Sequence, residues 1–361
     1  MTKIAIITDT HFGIRSDSVV FLDYFKKFLD EVFFPTLKLH NVRTVLHGGD
    51  LVDRRKTINF YTAKRMREDF LEKLIGYNVH FIAGNHDVSY KTTNDVNCYS
   101  ELLKKQGIDL FSDPLNFSVS INPEHVYVEG KPFLFLPWIC PANEKQAVEL
   151  IAQSTAKVVL GHLELSGFEM FRGSICDHGL DYKQFQKFDT VLTGHFHHKS
   201  KRYNIDYLGA PWEMTWSDYN DERGFHLFDL ETHELTFIKN PYSMFNVIEY
   251  NNLVTKSSDL DDMNLDRYTG SYVKIVIKKS DSPYYFDMFK EHLEGYNPID
   301  IKIVDTPVVN LLDESELIDE AKDTVSILRG YVNQLGTETD KPKLEKLLVD
   351  LYNEALVCET A

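Results

Sequence analysis

The sequence predicts an α/β protein made of two packed β-sheets with helices outside them, followed by a small βαβ unit and a pair of helices. Two observations support this prediction. In the first part of the chain, short apolar runs alternate with amphipathic helical patterns, which is typical of βαβ units. From residue 117 onward, apolar runs follow one another without intervening helices, which indicates antiparallel strands.

The first predicted elements form a βαβαβ series. Strands are expected at residues 3–8, 44–47 and 79–83, and amphipathic helices at 20–39 and 60–77. In the first helix, apolar residues recur at three- and four-residue spacing, which gives the helix one apolar face. Each strand runs into a cluster of polar residues, as strands of α/β sheets commonly do where they carry a site.

Further strands complete the two predicted sheets. They are expected at residues 117–121, 126–129, 132–136, 157–160, 190–193, 203–208, 225–229 and 235–238. Together with the βαβαβ series they predict an α/β sandwich that spans residues 1–245.

The rest of the chain predicts two smaller parts. Residues 251–266, rich in Asn, Ser and Asp, are expected to be a linker to a βαβ unit at residues 267–308. Residues 311–361 predict a helical pair, whose first helix opens with Asp313 and Glu316 in the relation of a capping box. Terminal helices of this kind commonly pack on their own domain, and they can equally offer an apolar face to another protein.

The composition indicates a folded protein and excludes a broadly basic protein that coats DNA. The chain has 361 residues, 43% of them hydrophobic, and 39 basic against 55 acidic residues give a net charge of -16. Residues 1–240 hold 27 basic and 32 acidic residues, so most of the acidity lies outside the predicted sandwich. Four dispersed cysteines without C-x-x-C spacing and the lack of a long apolar stretch favour a cytoplasmic protein that binds no membrane.

Five predicted strand ends carry the same kinds of polar residue. They are Asp9-Thr10-His11, Gly49-Asp50, Gly84-Asn85-His86-Asp87, Gly161-His162 and Gly194-His195-Phe196-His197. Each motif alone is weak, because Gly-Asp after a strand is commonly a turn and a lone histidine is commonly structural. Together they are specific, because loops at one edge of a sheet converge in space.

This set of residue types suits two divalent ions bound side by side. Carboxylate, imidazole and amide ligands without thiolates favour octahedral Mn²⁺ or Fe²⁺ over structural zinc. The rings of His195 and His197 alternate along an extended segment, so each can serve a different ion. Asp50, central in the series, is expected to bridge the two ions, because one carboxylate can contact both.

In this order the motifs resemble those of the calcineurin-like metallophosphoesterase superfamily, over residues 1 to about 200. Within it the chain is similar to the SbcD-like nuclease subunits, and above all to those of tailed-bacteriophage recombination endonucleases. The likeness to that branch extends to about residue 230 and rests on Leu136-Pro137-Trp138, the segment 161–168, His178-Gly179-Leu180 and Arg223-Gly224-Phe225.

The resemblance implies a pair of divalent ions, Mn²⁺ above all, with Mg²⁺ and Fe²⁺ as alternatives. It implies that one ion is held by Asp9, His11, Asp50 and His197, and the other by Asp50, Asn85, His162 and His195. His86 would protonate the leaving oxygen or stabilise charge there. Many cellular members carry histidine where this chain has Asp53, so the role of that position stays open.

Basic residues follow two of the motifs. Arg54, Arg55 and Lys56 come directly after the Gly-Asp motif, and Lys91 follows Gly-Asn-His-Asp. Basic runs are commonly just solvated, but beside a centre that cleaves phosphoesters we expect them to contact DNA phosphates.

The function implied by the resemblance is that of a Mn²⁺-dependent DNA nuclease, with double-strand exonuclease and single-strand endonuclease activity. It would process DNA ends for recombination, repair and replication together with an SbcC-like ATPase, as a homodimer within a heterotetramer, in the bacterial host cytoplasm if phage-encoded. Residues 267–308 would cap the DNA, and residues 311–361 would bind the ATPase.

Two alternatives remain at this point. A metallophosphatase or phosphodiesterase acting on a non-DNA substrate could use the same ligands, because they report the reaction and not the rest of the substrate. A non-catalytic scaffold is disfavoured, because all the expected ligand positions carry the right residue types.

Overall fold

The computed structural model describes residues 2–103, 117–171, 173–304, 332 and 341–359. These residues form two compact units, and each is described by itself. The first unit contains the described residues of Met1–Trp212, Glu222–Asn240 and Ile318–Ala361, and the second those of Glu213–Asp221 and Pro241–Leu317.

Two six-stranded sheets and a small two-stranded sheet make up the strands of the first unit. In chain order the strands are β1 Lys3–Ile7, β2 Thr44–His47, β3 Asn78–Ile82, β4 Phe117–Ser120, β5 Glu124–Val128, β6 Lys131–Leu136, β7 Val158–His162, β8 Glu169–Phe171, β9 Ser174–Ile175, β10 Thr190–Gly194, β11 Ser200–Arg202, β12 Ile205–Tyr207, β13 Gly224–Asp229 and β14 Leu235–Lys239. The first sheet has the order β14-β13-β1-β2-β3-β4, the second β11-β12-β10-β7-β6-β5, and β8 pairs with β9.

Most neighbouring strands around the site are parallel. β1 to β4 are parallel to one another, and so are β6, β7, β10 and β12. Their carboxyl ends therefore meet at one edge of each sheet, which is where the polar motifs lie. The antiparallel prediction for residues 117–136 is correct for β5 and β6 but wrong for β4, which pairs in parallel with β3. The prediction failed because the chain passes from the first sheet to the second between Ser120 and Glu124. An apolar run alone does not reveal which strand it pairs with.

Apolar side chains from both large sheets share one buried cluster. Ile4 and Ile6 of β1 lie in it with Phe133 and Phe135 of β6 and with Leu160 of β7. The sheets therefore pack face to face, and the prediction of a two-sheet α/β sandwich is confirmed.

Helices cover the outer faces of the sandwich. They are α1 Val19–Phe28 with a π-helical turn Leu29–Phe33, α2 Phe34–Leu39, α3 Phe60–Met66 with a π-helical turn Arg67–Leu71, and α4 Glu144–Gln153. α1 forms because its apolar residues share one face, and Phe25 on that face stacks on Trp212 with ring centroids 3.8 Å apart. No helix in the described ranges is both long and apolar enough to cross a membrane.

The second unit is built on a three-stranded parallel sheet with the order β15-β16-β17. The strands are β15 Phe245–Asn251, β16 Tyr272–Lys279 and β17 Asp300–Val304, and helix α5 Pro283–Glu294 connects the last two. Strand β15 was not predicted. The predicted linker at residues 251–266 is wrong, because its Val254 and Leu265 are buried in the core of this unit.

The end of the chain is described only in part. Helix α6 Lys341–Glu359 corresponds to the second helix of the predicted pair. The first helix of that pair, apart from residue 332, and the last residues of the predicted unit 267–308 lie outside the described residues.

Candidate metal centre

The structure brings all the predicted ligands and His86 to one place between the carboxyl ends of the parallel strands. Asp9, Asp50 and Asn85 follow β1, β2 and β3 of the first sheet, and His162 and His195 stand at the ends of β7 and β10 of the second. These five side chains are buried. The centre is therefore formed where the two sheets meet, and each motif contributes to it.

The backbone is strained at four of these residues. Asp9, His11, Asp50 and His195 have positive φ angles of 54°, 43°, 55° and 91°. Such conformations cost of order 1–3 kcal/mol each and persist only where surrounding contacts hold them. Here the main-chain N–H of Asp9 donates to the carbonyl of Gly49 at 2.9 Å. Strained residues are common at functional sites, and here four of the seven predicted ligands are strained.

One group of possible metal ligands consists of Asp9, His11 and His197, whose ligand atoms lie within 4.8 Å of one another. The Nε2 atoms of His11 and His197 are 3.0 Å apart. Burial lowers the pKa of His11, but Asp53 and Asp50 more than offset this and raise it to about 10. Burial and the neighbouring His11 hold the pKa of His197 well below its usual value. His11 is therefore the charged ring of the pair, and its Nε2–H faces the unprotonated Nε2 of His197.

A second group consists of Asp50, His162 and His195, with Asn85 between the two rings. The amide Oδ1 of Asn85 is 2.9 Å from His162 Nε2 and 2.9 Å from His195 Nδ1. His162 Nδ1 donates to the carbonyl of Gly48 at 2.8 Å, which directs Nε2 into the group. Burial lowers the pKa of His162, but Asp50 more than offsets this and raises it to about 9.

Asp50 borders both groups through one oxygen. Its Oδ2 lies 3.6 Å from His11 Nε2 and 3.3 Å from His162 Nε2. Its Oδ1 accepts from the main-chain N–H of His86 at 2.7 Å. Burial raises the pKa of Asp50, but the surrounding histidines hold it well below its usual value, so the carboxylate is charged.

These residues fit a pair of divalent ions. Two ligands bound side by side at about 2.1 Å from an ion lie about 3 Å apart, which matches the contacts between the imidazole nitrogens and the amide oxygen. Asp9 differs from Asp50, because burial raises its pKa to about 6. A bound cation would favour the charged form of Asp9, because it would offset the cost of burying that charge. It would also take the place of the protons between the histidine rings.

His86 lies beside the first group, with its ring 4.8 Å from that of His11. Its Nδ1–H donates to the carbonyl of Asp53, which leaves Nε2 unprotonated in the neutral ring. Burial lowers the pKa of His86. The ring is therefore neutral at neutral pH until a negative charge arrives next to it.

Two aspartates that were given no role in the sequence prediction organise the centre. Asp53 Oδ1 lies 3.6 Å from His11 Nδ1, so this position contacts both His11 and His86. Asp87 is fully buried, and its carboxylate accepts from the main-chain N–H groups of Asp50 and Gly84 at 2.8 Å each. Asp87 closes the Gly-Asn-His-Asp motif, and that place at a strand end was the signal for it.

Two motif glycines are required by close packing. Gly49 has φ +98°, and a Cβ there would come within 2.5 Å of His162 Nδ1. A Cβ on Gly84 would collide with the carboxylate and main-chain nitrogen of Asp50. The glycines let the two loops approach closely enough for Asp50 to reach both groups.

The predicted DNA-contacting residues lie around the centre and not in it. Arg54, Arg55 and Lys56 line a cleft together with Ser89 and Val96. Arg54 also pairs with Asp17 at 3.4 Å. Lys91 lies near Glu164. Burial raises the pKa of the Glu164 carboxyl, but His178 more than offsets this and lowers it, and Lys91 makes a smaller contribution in the same direction.

A two-sheet sandwich whose strand ends assemble carboxylates, an amide and histidines around two adjoining positions defines a metal-dependent phosphoester hydrolase. Residues 2–199 match the calcineurin-like phosphoesterase family, and the chain belongs to that family. The resemblance predicted from the motifs is confirmed, and the chain is an enzyme of the hydrolase class.

Two relatives extend the likeness beyond the family domain. Exonuclease subunit 1 of Enterobacteria phage T4 is 29% identical over 367 residues, which cover 98% of this chain and 99% of that protein. The SbcD component of the nuclease SbcCD from Staphylococcus epidermidis is 22% identical over 277 residues, which cover 68% of this chain and 72% of that protein.

Among solved structures, an archaeal phosphodiesterase matches with a TM-score of 0.34 and 14% identity, over 66% of this chain and 99% of that one. Purple acid phosphatase PPD1 from yellow lupin matches with a TM-score of 0.33 and 14% identity, over 67% and 48% of the two chains. At these values the structural matches add nothing to the family assignment.

Proposed function

We propose that this chain is the nuclease subunit of a nuclease–ATPase complex, and that it hydrolyses DNA phosphodiesters with two Mn²⁺ ions. The observation that carries the proposal is the similarity to a phage exonuclease subunit over 98% of the chain. The buried centre with two adjoining groups of donors supports it, because hydrolysis of a phosphodiester suits a pair of ions.

Asp9, His11, Asp50 and His197 would hold one ion, and Asp50, Asn85, His162 and His195 the other, with Asp50 shared. When bound, the two ions supply positive charge to the phosphate oxygens and lower the pKa of water at the centre. The chain would hold these ligand atoms in place before substrate binds. The ligands lie on strained loops, which Asp87 stabilises by hydrogen bonds and the motif glycines permit to approach closely.

His86 is the residue proposed to supply the proton that the leaving oxygen needs. Its Nδ1 is occupied by the Asp53 carbonyl, so only Nε2 is free to exchange a proton. The ring is neutral in the absence of substrate. The negative charge of a phosphodiester next to Nε2 raises the pKa of the ring, and the ring then becomes protonated when a leaving group is present.

DNA would be held beside the centre by Arg54, Arg55, Lys56 and Lys91. The first three line a cleft whose lining also includes Val52, two residues beyond Asp50. Contacts to phosphates fix the position of a strand without reading its sequence. The net charge of the chain leaves its own DNA affinity weak, and an SbcC-like ATPase would supply much of the binding.

The assembly proposed for the complex is a homodimer of this chain with two ATPase subunits. Exposed apolar side chains occur at the starts of α1 and α3, with Val19 48% and Phe60 94% exposed. The two helices are neighbours, since Arg65 of α3 pairs with Asp23 of α1 at 2.9 Å. This face of the first unit is the proposed dimer surface. Residues 267–308 would cap the DNA, and residues 311–361 would bind the ATPase.

A nuclease assay on linear duplex and single-stranded DNA tests the proposal. The purified chain should degrade both substrates with Mn²⁺, should be inactive with EDTA, and should act faster on duplex DNA when the ATPase partner and ATP are added. Asp50→Asn should be inactive in every condition. A wild-type chain that hydrolyses bis(p-nitrophenyl) phosphate with Mn²⁺ but leaves DNA intact would show that it is a phosphodiesterase for a different substrate.

A further inference from the structure

A third group of titratable side chains lies next to the proposed metal centre and supplies none of its ligands. Glu164, Cys176 and His178 have donor atoms within 4.8 Å of one another. Glu164 lies two residues beyond His162, and its Oε2 is 3.8 Å from Nε2 of His195. The group therefore approaches one of the proposed ligands from the side that faces away from Asn85.

The Nε2 atom of His195 is buried and has no hydrogen-bond partner among the described residues. Because Nδ1 of the same ring faces the Asn85 oxygen at 2.9 Å, the proton of the neutral ring belongs on Nε2 when Nδ1 acts as a ligand. A buried N–H without an acceptor is unfavourable, because it has lost its hydrogen bond to water and gained none in the protein. Glu164 Oε2 is an acceptor about 1 Å beyond hydrogen-bond distance.

The Glu164 carboxylate is itself fixed in place. Its Oε1 is 2.5 Å from Nε2 of His178. The main chain of the same segment is also clamped, because Leu180 N–H donates to the Glu164 carbonyl at 2.9 Å. Gly179, with φ +85°, permits this approach, since a Cβ there would collide with the Glu164 carbonyl. The His178-Gly179-Leu180 segment thus serves to hold Glu164.

We infer that Glu164 is a positioning residue for the metal centre: its carboxylate accepts the Nε2 proton of His195 and thereby keeps Nδ1 directed at the ion beside Asn85. His178 holds the carboxylate in this orientation. Metal-binding histidines commonly donate their other ring N–H to a carboxylate, and loss of such a partner weakens metal affinity by about 10–100-fold. The inference rests on the metal centre proposed above.

A neighbouring pair serves as a matched control. Glu169 and His198 form the same kind of contact, with Glu169 Oε2 3.3 Å from His198 Nε2. His198 is not one of the proposed ligands. If carboxylate–histidine pairs in this region only stabilise the fold, changes at Glu164 and Glu169 should have similar consequences.

The test is the affinity for Mn²⁺, measured by isothermal titration calorimetry on the full-length chain stripped of metal with EDTA. Wild type should bind two ions. Glu164→Ala should bind one of the two about 10–100-fold more weakly. Glu164→Gln should recover part of that loss, because its amide oxygen still accepts a hydrogen bond, and Glu169→Gln should bind both ions like wild type. Melting temperatures in EDTA monitor the fold.

The inference is overturned if Glu164→Ala and Glu164→Gln both bind two Mn²⁺ ions with wild-type affinity, or if Glu169→Gln weakens Mn²⁺ binding as much as they do. If Glu164→Ala does not fold, Glu164→Gln decides alone, and an unchanged affinity overturns the inference. A wild-type chain that binds no Mn²⁺ overturns both proposals. A wild-type chain that binds two ions and leaves DNA intact overturns the proposed nuclease function but not the role of Glu164.

Discussion

Single residues at the centre divide into those that would contact ions and those that act through another residue. Asp50 belongs to the first kind, since one of its oxygens borders both groups of donors. Asp53 belongs to the second kind, because its carboxylate faces His11 and its carbonyl accepts from His86. The motifs predicted the first kind at strand ends. The second kind depends on how closely loops approach, which spacing along the chain does not reveal.

Substitution of His86 should separate metal binding from hydrolysis. We expect His86→Ala to bind two Mn²⁺ ions like wild type but to cleave DNA about 10²–10⁴-fold more slowly, because the leaving oxygen loses its proton donor. Asp50→Ala should lose both properties. Calorimetric titration with Mn²⁺ and single-turnover cleavage of a labelled duplex measure the two effects. Wild-type cleavage by His86→Ala would show that the proposed role is wrong.

His226 should make the fold sensitive to acid. It lies on β13, and burial lowers its pKa to about 3, whereas an unfolded histidine has a pKa near 6.5. Between these values the unfolded chain binds a proton that the native chain does not, so stability falls as the pH falls. From pH 7.5 to 5.5 this one group should remove about 1 kcal/mol from the free energy of unfolding.

His226→Phe tests this, since the ring packs 5.2 Å from that of Phe237 and its Nδ1 is buried without a hydrogen bond. Urea unfolding in EDTA should show that the variant loses about 1 kcal/mol less than wild type over this pH range. Parallel losses in the two proteins would refute the assignment.

At the scale of elements, the loops at the strand ends determine the geometry of the centre more than the strands do. Strands β1, β2 and β3 and their parallel pairing follow from the βαβ pattern, and that part of the fold was predictable. Strand β15 was not, because it starts a unit whose connecting segment is polar and yet buries Val254 and Leu265. A composition rich in Asn, Ser and Asp indicates a linker, and only the packed structure shows those two apolar side chains inside a core.

Asp87 is expected to hold the loops after β2 and β3 together. Its two oxygens accept from the main-chain N–H groups of Asp50, Leu51 and Gly84 at 2.8 Å and from the Tyr99 hydroxyl at 3.0 Å. Asp87→Asn places an amide NH₂ against at least one of these donors. We expect it to lower the free energy of unfolding by about 2–4 kcal/mol, because buried donors lose their acceptor.

The matched control for this change is Asp95→Asn, at an exposed position on the loop that follows. Urea unfolding of the metal-free proteins should show wild-type stability for the control and weakened stability for Asp87→Asn. Equal stability of both variants would mean that Asp87 does not organise the loops.

At the scale of the whole molecule, the second unit and the terminal helix of the first unit have proposed tasks that are separate from that of the centre. The first unit contains the centre and the family domain. The charge distribution is uneven, because residues 1–240 carry 27 basic and 32 acidic residues while the whole chain has a net charge of -16. Residues 311–361 hold 5 basic and 12 acidic residues, which suits the proposed contact with a protein partner more than direct contact with DNA phosphates.

Truncation after residue 310 should abolish assembly without abolishing catalysis. The truncated chain retains every residue of the centre and the second unit's sheet, so we expect Mn²⁺-dependent cleavage of single-stranded DNA at a rate similar to that of wild type. We expect it not to co-purify with the ATPase, because residues 311–361 are the proposed binding element. Retained co-purification would show that the ATPase binds elsewhere.

Two ions are proposed to bind side by side, with Asp50 between them. Crystals of the chain grown with Mn²⁺ should give two anomalous difference peaks, one contacted by His11 and His197 and the other by Asn85, His162 and His195, with an Asp50 oxygen touching both. Absence of either peak, or two peaks that do not share Asp50, would show that the proposed two-ion centre is wrong.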